Sequence, residues 1–223
     1  MNGKLFVSAI VKFLAGVILV GLLIFLPAGS FMYWNGWLLM VILFVPMFCA
    51  GIVMMIKDPN LLRERLDAKE KEGEQKTVVA LSGLMFLVGF VLCGLNFRFS
   101  WIKLPTRVVI VAAVFFIISY VLYAEVLREN AYLSRTIKVQ EGQKVVDTGL
   151  YGLVRHPMYA VTIGLFLSIP LVLGSVISFI VFLAYPFIIV KRIKNEEQVL
   201  EENLEGYKEY KAKVKYRLIP FIW

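Results

Sequence analysis

Residues 158–190 read MYAVTIGLFLSIPLVLGSVISFIVFLAYPFIIV, an apolar run without a charge. A helix needs about 20 such residues to cross a bilayer, so the run is too long for one span. Pro170 and Gly174 interrupt it, a helix stop followed by a turn residue. The stretch is therefore expected to fold as a tight hairpin of two shorter helices.

Four more apolar runs precede it, roughly Phe6–Pro27, Phe31–Ile56, Thr77–Phe97 and Arg107–Leu127. The positions of Lys and Arg test the hairpin, because basic loops stay on the cytoplasmic side. The 27–31 connection has neither residue. The next loop has Lys57, Arg63, Arg65, Lys69, Lys71 and Lys76, and the one after it only Arg98, Lys103 and Arg107. Then come Arg128, Arg135, Lys138, Lys144 and Arg155, while the 170–174 turn has none. The tail carries Lys191, Arg192, Lys194, Lys208, Lys211, Lys213, Lys215 and Arg217. Alternation is clean with the hairpin, whereas a single 159–190 helix would place the most basic segment outside. The expected fold is all-α, a polytopic transmembrane bundle of about six spans. The last two form the hairpin, both termini are cytoplasmic, and the C-terminal segment is a cytoplasmic helical tail.

Composition agrees. The 223 residues are 60% hydrophobic, with mean hydropathy +0.78, against roughly 45–50% apolar in soluble domains. Lipid must solvate part of such a chain, in a bacterial or archaeal cell membrane or in the endoplasmic reticulum. The length fits one compact bundle. The net charge of +8 reads as cytoplasmic loops facing anionic lipid rather than as a nucleic-acid surface. Phe6–Pro27 has only Lys12 charged and lacks the short core and cleavage site of a removable signal, so it is expected to be a retained helix. Cys49 and Cys93 lie in apolar runs and read as packing residues, with no disulfide framework or metal-ligand spacing. One histidine, His156, excludes multi-histidine metal chemistry. In the mixed-charge loop 57–76, Asp58-Pro59 can cap and start a helix. Leu61, Leu62 and Leu66 would face one side, giving a short interfacial helix.

The residues able to carry chemistry begin at Tyr132. Ser134–Val146 is polar and partly extended, Asp147-Thr148-Gly149 is a turn signal, and GLYGLVRHPMY occupies 149–159. His156 precedes Pro157, which suits the first position of a helix. That helix start would turn its free N–H groups toward the loop and favour an anion there. Taken alone, His156 could simply cap or pack, Arg155 could be a positive-inside charge, and Tyr151 and Tyr159 could be interfacial aromatics. In KRIKNEEQVLEENLEGYKEYKAKVKYRLIPFIW, after the last span, Arg192 and Glu196 lie one turn apart, with Glu197 and Leu200 close by. A solvated ion pair is the plain reading of that spacing. The aromatic end, with Tyr207, Tyr210, Tyr216, Phe221 and Trp223, is too apolar for a disordered tail. It is expected to fold back over a pocket between the 132–159 loop and the Arg192–Glu197 face.

Arg155-His156-Pro157 with Tyr159, Asn195-Glu196-Glu197, Gly206-Tyr207 with Tyr210, and Leu-Ile-Pro-Phe at 218–221 occur in an order that closely resembles the isoprenylcysteine carboxyl methyltransferase and phospholipid methyltransferase superfamily. The resemblance covers roughly residues 132–223. It implies S-adenosylmethionine as methyl donor. It implies that His156, Pro157, Met158 and Tyr159, with Tyr151 before them, hold that cofactor, and that Glu196 and Glu197 bind it from the last helix. Gln143, Lys144, Val145 and Val146 would line it by loop position. Arg192 would face the substrate as the catalytic residue. Residues 1–130 would then be four supporting spans and 131–223 the catalytic core. Ala160 and Val161 stand where prenylcysteine enzymes commonly have a glycine, which leaves the acceptor class open.

The residues suit methyl transfer to an amphipathic, lipid-like or prenylated acceptor entering from the bilayer. A carboxylate acceptor is already ionised and needs only orientation, which Arg192 can give in a bidentate contact. An amine would have to lose a proton to Glu196 or Glu197. Two other readings stay open: a sterol-type membrane reductase using a nicotinamide cofactor, and a non-enzymatic membrane scaffold.

Overall fold

A computed structural model describes residues 3–67, 73–134, 136, 137 and 139–223. Lys69, Glu70, Lys71, Glu72, the Glu74 side chain, Arg135 and Lys138, which entered the charge pattern, lie outside the described residues. Among the described residues the protein is helical, with no strand. The elements are α1 (Gly3–Ala28), α2 (Trp34–Lys57), α3 (Pro59–Leu66), α4 (Gly73–Phe99), α5 (Thr106–Glu129), a 3-10 turn (Gly149–Gly152), α6 (Pro157–Val172), α7 (Val176–Phe182), α8 (Ala184–Asn203) and α9 (Tyr207–Lys213).

Five helical runs are long and apolar enough to cross a membrane: α1, α2, Gln75–Phe99 of α4, α5, and Val176–Asn203 formed by α7 and α8 together. Their outer faces are apolar and exposed, as at Leu14, Ile18, Leu26, Val111 and Val121, which in water would be untenable and in lipid is ordinary. About six spans were expected, and the difference is α6. Its 16 residues rise about 24 Å, less than the roughly 30 Å hydrocarbon core, yet its far end meets Tyr33 and Asn35 at the start of α2 and Asn96 near the end of α4.

The hairpin forms where the sequence places it. Pro170 does not end α6, which runs two residues further to Val172. The turn is made at Gly174, whose φ is +76°. Gly174 N donates to Leu171 O at 3.0 Å and Ser175 N to Pro170 O at 2.8 Å, the paired bonds of a Schellman ending that favours glycine there. Ser175 then caps α7, its hydroxyl accepting from Ser178 N. The last carbonyls of α6 are met by side chains from neighbouring helix ends. Asn35 donates to Val172 O at 2.8 Å, Tyr33 to Leu173 O at 2.5 Å and Asn96 to Gly174 O at 3.3 Å. In a membrane such carbonyls must find protein partners. Past the turn, Pro186 has no N–H for the Phe182 carbonyl one turn back, and the helix breaks at Leu183 between α7 and α8.

One apolar core joins both halves of the chain, with Ile24, Leu39, Met85 and Phe116 beside Leu165, Ile169, Phe182 and Ile193. Helices α1 and α4 touch backbone to backbone at Gly94, where a Cβ would lie 2.7 Å from the Ile24 carbonyl oxygen. The short helix expected at 58–66 is α3, with Asp58 accepting from Leu61 N at 3.0 Å and Leu61 and Leu62 buried. It does more than lie on a surface. Arg65 donates to the Tyr123 hydroxyl and to Ser134 O at 3.5 Å, with Met158 Sδ 3.9 Å away. These contacts press α3 against the loop that precedes α6.

Candidate functional site

Adjacent residues on a helix diverge by about 100°, and α8 uses that divergence. Glu197 turns toward the tail and is 2% exposed. Arg155 Nε donates to its Oε1 at 2.7 Å and Arg217 Nε to its Oε2 at 2.9 Å. His156 Nε2 lies 3.2 Å from Oε1. A carboxylate between two guanidiniums is ionised and only accepts, so that nitrogen carries the histidine proton. Arg155 Nη1 also donates to the carbonyls of Val214 and Lys215 at 2.7 and 2.8 Å. Backbone bonds of 2.9 Å from Arg155 N to Tyr216 O and from His156 N to Arg217 O lace the tail across the start of α6. The tail therefore folds back as its aromatic content suggested.

Beneath it lies a cavity between the 130–146 chain, the start of α6, one face of α8 and the tail. It is lined by Gln143, Lys144, Val145, Val146, Tyr151, His156, Met158, Tyr159, Arg192 and Glu196 among others. Two candidates are not in the lining. Pro157 is buried as the first residue of α6, where its ring sets the helix entry. Glu197, expected to sit beside Glu196 in the cofactor set, points the other way into the cationic cluster. Tyr151 and Tyr159 are buried cavity residues rather than interfacial aromatics. The plain reading of Arg192 and Glu196 as a solvated pair also fails. Arg192 is buried, its Nε donates to Tyr159 Oη at 2.9 Å, and Tyr159 Oη donates to Glu196. The phenol stands between the two charges.

The upper wall is apolar and aromatic. Leu204, Tyr207, Tyr210 and Val214 pack with Val139, Val145 and Leu200, and Tyr210 donates to Tyr151 O at 2.8 Å. Burial, with the nearby charges of Glu197 and Glu196, pushes the Tyr207 phenol well above its ordinary value. It is therefore a neutral donor. Its hydroxyl and that of Tyr151 are buried with no hydrogen-bond partner of good geometry among the described residues. An orphaned buried hydroxyl costs roughly 1–3 kcal/mol, and both of these line the cavity. A ligand presenting hydrogen-bonding groups beside an apolar surface relieves that cost. The donor set of Glu196, two phenols and a half-buried thioether at Met158 fits an adenosyl group.

Residues 108–202 match the isoprenylcysteine carboxyl methyltransferase family. The matched stretch holds both RHPMY and NEE, the two pieces that the structure brings to one cavity. Over this segment the chain is similar to the isoprenylcysteine carboxyl methyltransferase family. The Delta(14)-sterol reductase TM7SF2 of Mus musculus is 30% identical over 91 residues, which are 40% of this chain and 22% of that protein. The chain thus spans about a fifth of that relative's length. With the family segment crossing α5 to α8, the helices described above make this an integral membrane protein.

The sequence did not single out Gln75, Asn130 or Leu204. Gln75 is fully buried on α4, accepts from Arg192 Nη1 at 3.2 Å and donates to Asn195 Oδ1 at 2.7 Å. A glutamine at the edge of an apolar run, just after a charged loop, was its faint signal. Tyr207 was visible in the Gly206-Tyr207 motif and as one of the tail's aromatics. Removing Glu197 leaves Arg155 charged and buried without its carboxylate. Glu197→Leu should therefore cost about 3–5 kcal/mol of stability, seen as a lowered thermal midpoint in detergent. Glu196→Gln at the neighbouring position should stay within about 1 kcal/mol of wild type. Equal midpoints for Glu197→Leu and wild type would remove the structural role given to the cluster.

Proposed function

We propose that this protein is an integral membrane methyltransferase that uses S-adenosylmethionine and acts on an amphipathic, lipid-like or prenylated acceptor, with a carboxylate as the favoured acceptor group. The observation that carries the reading is the cavity in which Glu196 and the orphaned Tyr151 and Tyr207 hydroxyls converge. The family match over the same elements supports it. When bound, the cofactor supplies an electrophilic methyl group on a sulfonium centre. Glu196 accepts hydrogen bonds from it, while Tyr151 and Tyr207 offer neutral donors. Gln143, Lys144, Val145, Val146, His156, Met158 and Tyr159 complete the wall, and Pro157 and Glu197 hold that wall from behind. Arg192 orients an acceptor carboxylate in a fork contact. The tail excludes water, which favours a step in which opposite charges cancel.

In this reading residues 1–130 support the core and offer an apolar surface to the acceptor's tail, and 131–223 carry the chemistry. The basic loops support cytoplasmic termini, which would put the cofactor entrance on the cytosolic side. A C-terminal reporter should read as cytoplasmic, and one that reads as external would remove this orientation.

A sterol-type reductase is the second reading, favoured by the similarity to the mouse reductase. The two readings divide on cofactor. Calorimetric titration of detergent-purified protein with S-adenosylhomocysteine should show saturable binding that Glu196→Gln weakens about tenfold or more. Saturable binding of a reduced nicotinamide dinucleotide instead would select the reductase.

A further inference from the structure

The chain beyond α9 is held in a closed loop. Arg217 N, Leu218 N and Ile219 N all donate to Trp223 O, at 2.9, 2.9 and 3.2 Å, and Trp223 N donates back to Ile219 O at 3.1 Å. The base of this 217–223 loop is fastened to the bundle. Leu218 is buried in the core that includes Ile189 and Ile193 of α8, and Trp223 packs against that core. The carbonyls of Tyr216 and Arg217 take the N–H groups of Arg155 and His156, which lead into α6. Arg217 adds a side-chain tie. Its guanidinium carbon lies 5.2 Å from the centre of the Trp223 ring, and its Nε donates to Glu197 Oε2 at 2.9 Å.

The tip of the loop is the opposite of its base. Phe221 is 87% exposed, Ile222 76% and Ile219 50%. Phe221 also holds a left-handed backbone, φ +66°, which is costly for a bulky residue. Folding tolerates that cost without burying the ring. Water penalises three large apolar side chains presented together. In a bundle whose spans already stand in lipid, the phase that relieves this penalty is the bilayer. The loop also lies at the right depth. It sits at the entry of α6, where the apolar core gives way to the charged node around Glu197. Tyr216, Trp223 and Arg217 at its base are residue types that settle at the border of hydrocarbon and headgroups.

We infer that the 217–223 loop docks in the bilayer interface, with Ile219, Phe221 and Ile222 inserted among the lipids beside the entry of α6. Through Arg217 the docked loop holds the tail on the Glu197 node, and so keeps the roof on the cavity. This docking is independent of which cofactor the cavity takes.

The test is the depth of a nitroxide label at residue 221, in the full-length chain carrying Cys49→Ser and Phe221→Cys, in phosphatidylcholine nanodiscs. Cys49 is exposed and Cys93 buried, so removing the first directs the label to 221. Lys213→Cys, at an exposed position on α9, is the aqueous reference. The label at 221 should collide more often with oxygen than with a water-soluble nickel chelate, and the label at 213 should show the reverse. Ile222→Cys repeats the measurement where the first variant folds poorly. A label at 221 or 222 that behaves like the one at 213 overturns the inference, because the tip is then in water. A label shielded from both quenchers also overturns it, because protein then covers the tip. Phe221→Asp with Ile222→Asp places two charges where lipid should be. Trypsin cleavage of that variant in nanodiscs should quicken severalfold at Lys213 and Lys215, with the rest of the chain cut no faster. Cleavage as slow as in wild type overturns the hold on the tail.

Discussion

Everything at the cavity-bearing end of this bundle hangs on one buried carboxylate. Glu197 joins Arg155 from the loop before α6, His156 at the helix entry and Arg217 from the tail. Ionised groups leave water at a cost of several kcal/mol each, and only near-complete pairing offsets it. Here the pairing is close to complete, since Arg155 also donates to two tail carbonyls. Such a node tolerates little displacement of any member. It therefore fixes the tail, the start of α6 and the rotation of α8 relative to one another, and the cavity is the space those three leave.

The rotation of α8 matters most. With Glu197 committed to the tail, Glu196 can only face the cavity, and Arg192, one turn earlier, follows it. Apolar packing of Leu200, Leu204, Tyr207 and Val145 seals the far side. The structural ion cluster and the cavity-facing pair thus lie on different faces of one helical turn. The site is also a joint product of the two halves of the chain, because Gln75 of α4 reaches the same turn.

Much of this was legible in the sequence. Pro170 and Gly174 marked the hairpin because few residues other than glycine tolerate the left-handed turn at 174. The aromatic tail announced that it would pack. The length of α6 was less legible, since periodicity does not show that the helix entering at Pro157 has only 16 residues. Glu196 and Glu197 could not be told apart, because neighbouring residues share a motif but not a direction, and only the tail's return decides which is buried. Gln75 and Arg65 were missed for a related reason. Arg65 meets the 132–159 segment, and Gln75 meets α8, only through tertiary packing, which a motif does not encode.

The central claim is that S-adenosylmethionine binds between the 130–159 segment and the α8–tail face. Ultraviolet crosslinking of methyl-labelled S-adenosylmethionine to the purified chain, followed by peptide mapping, tests it most directly. The account predicts label on peptides spanning 130–159 or 196–210, lost on competition with S-adenosylhomocysteine. Competed label confined to α1 and α2, or no competed label on the folded protein, would contradict it.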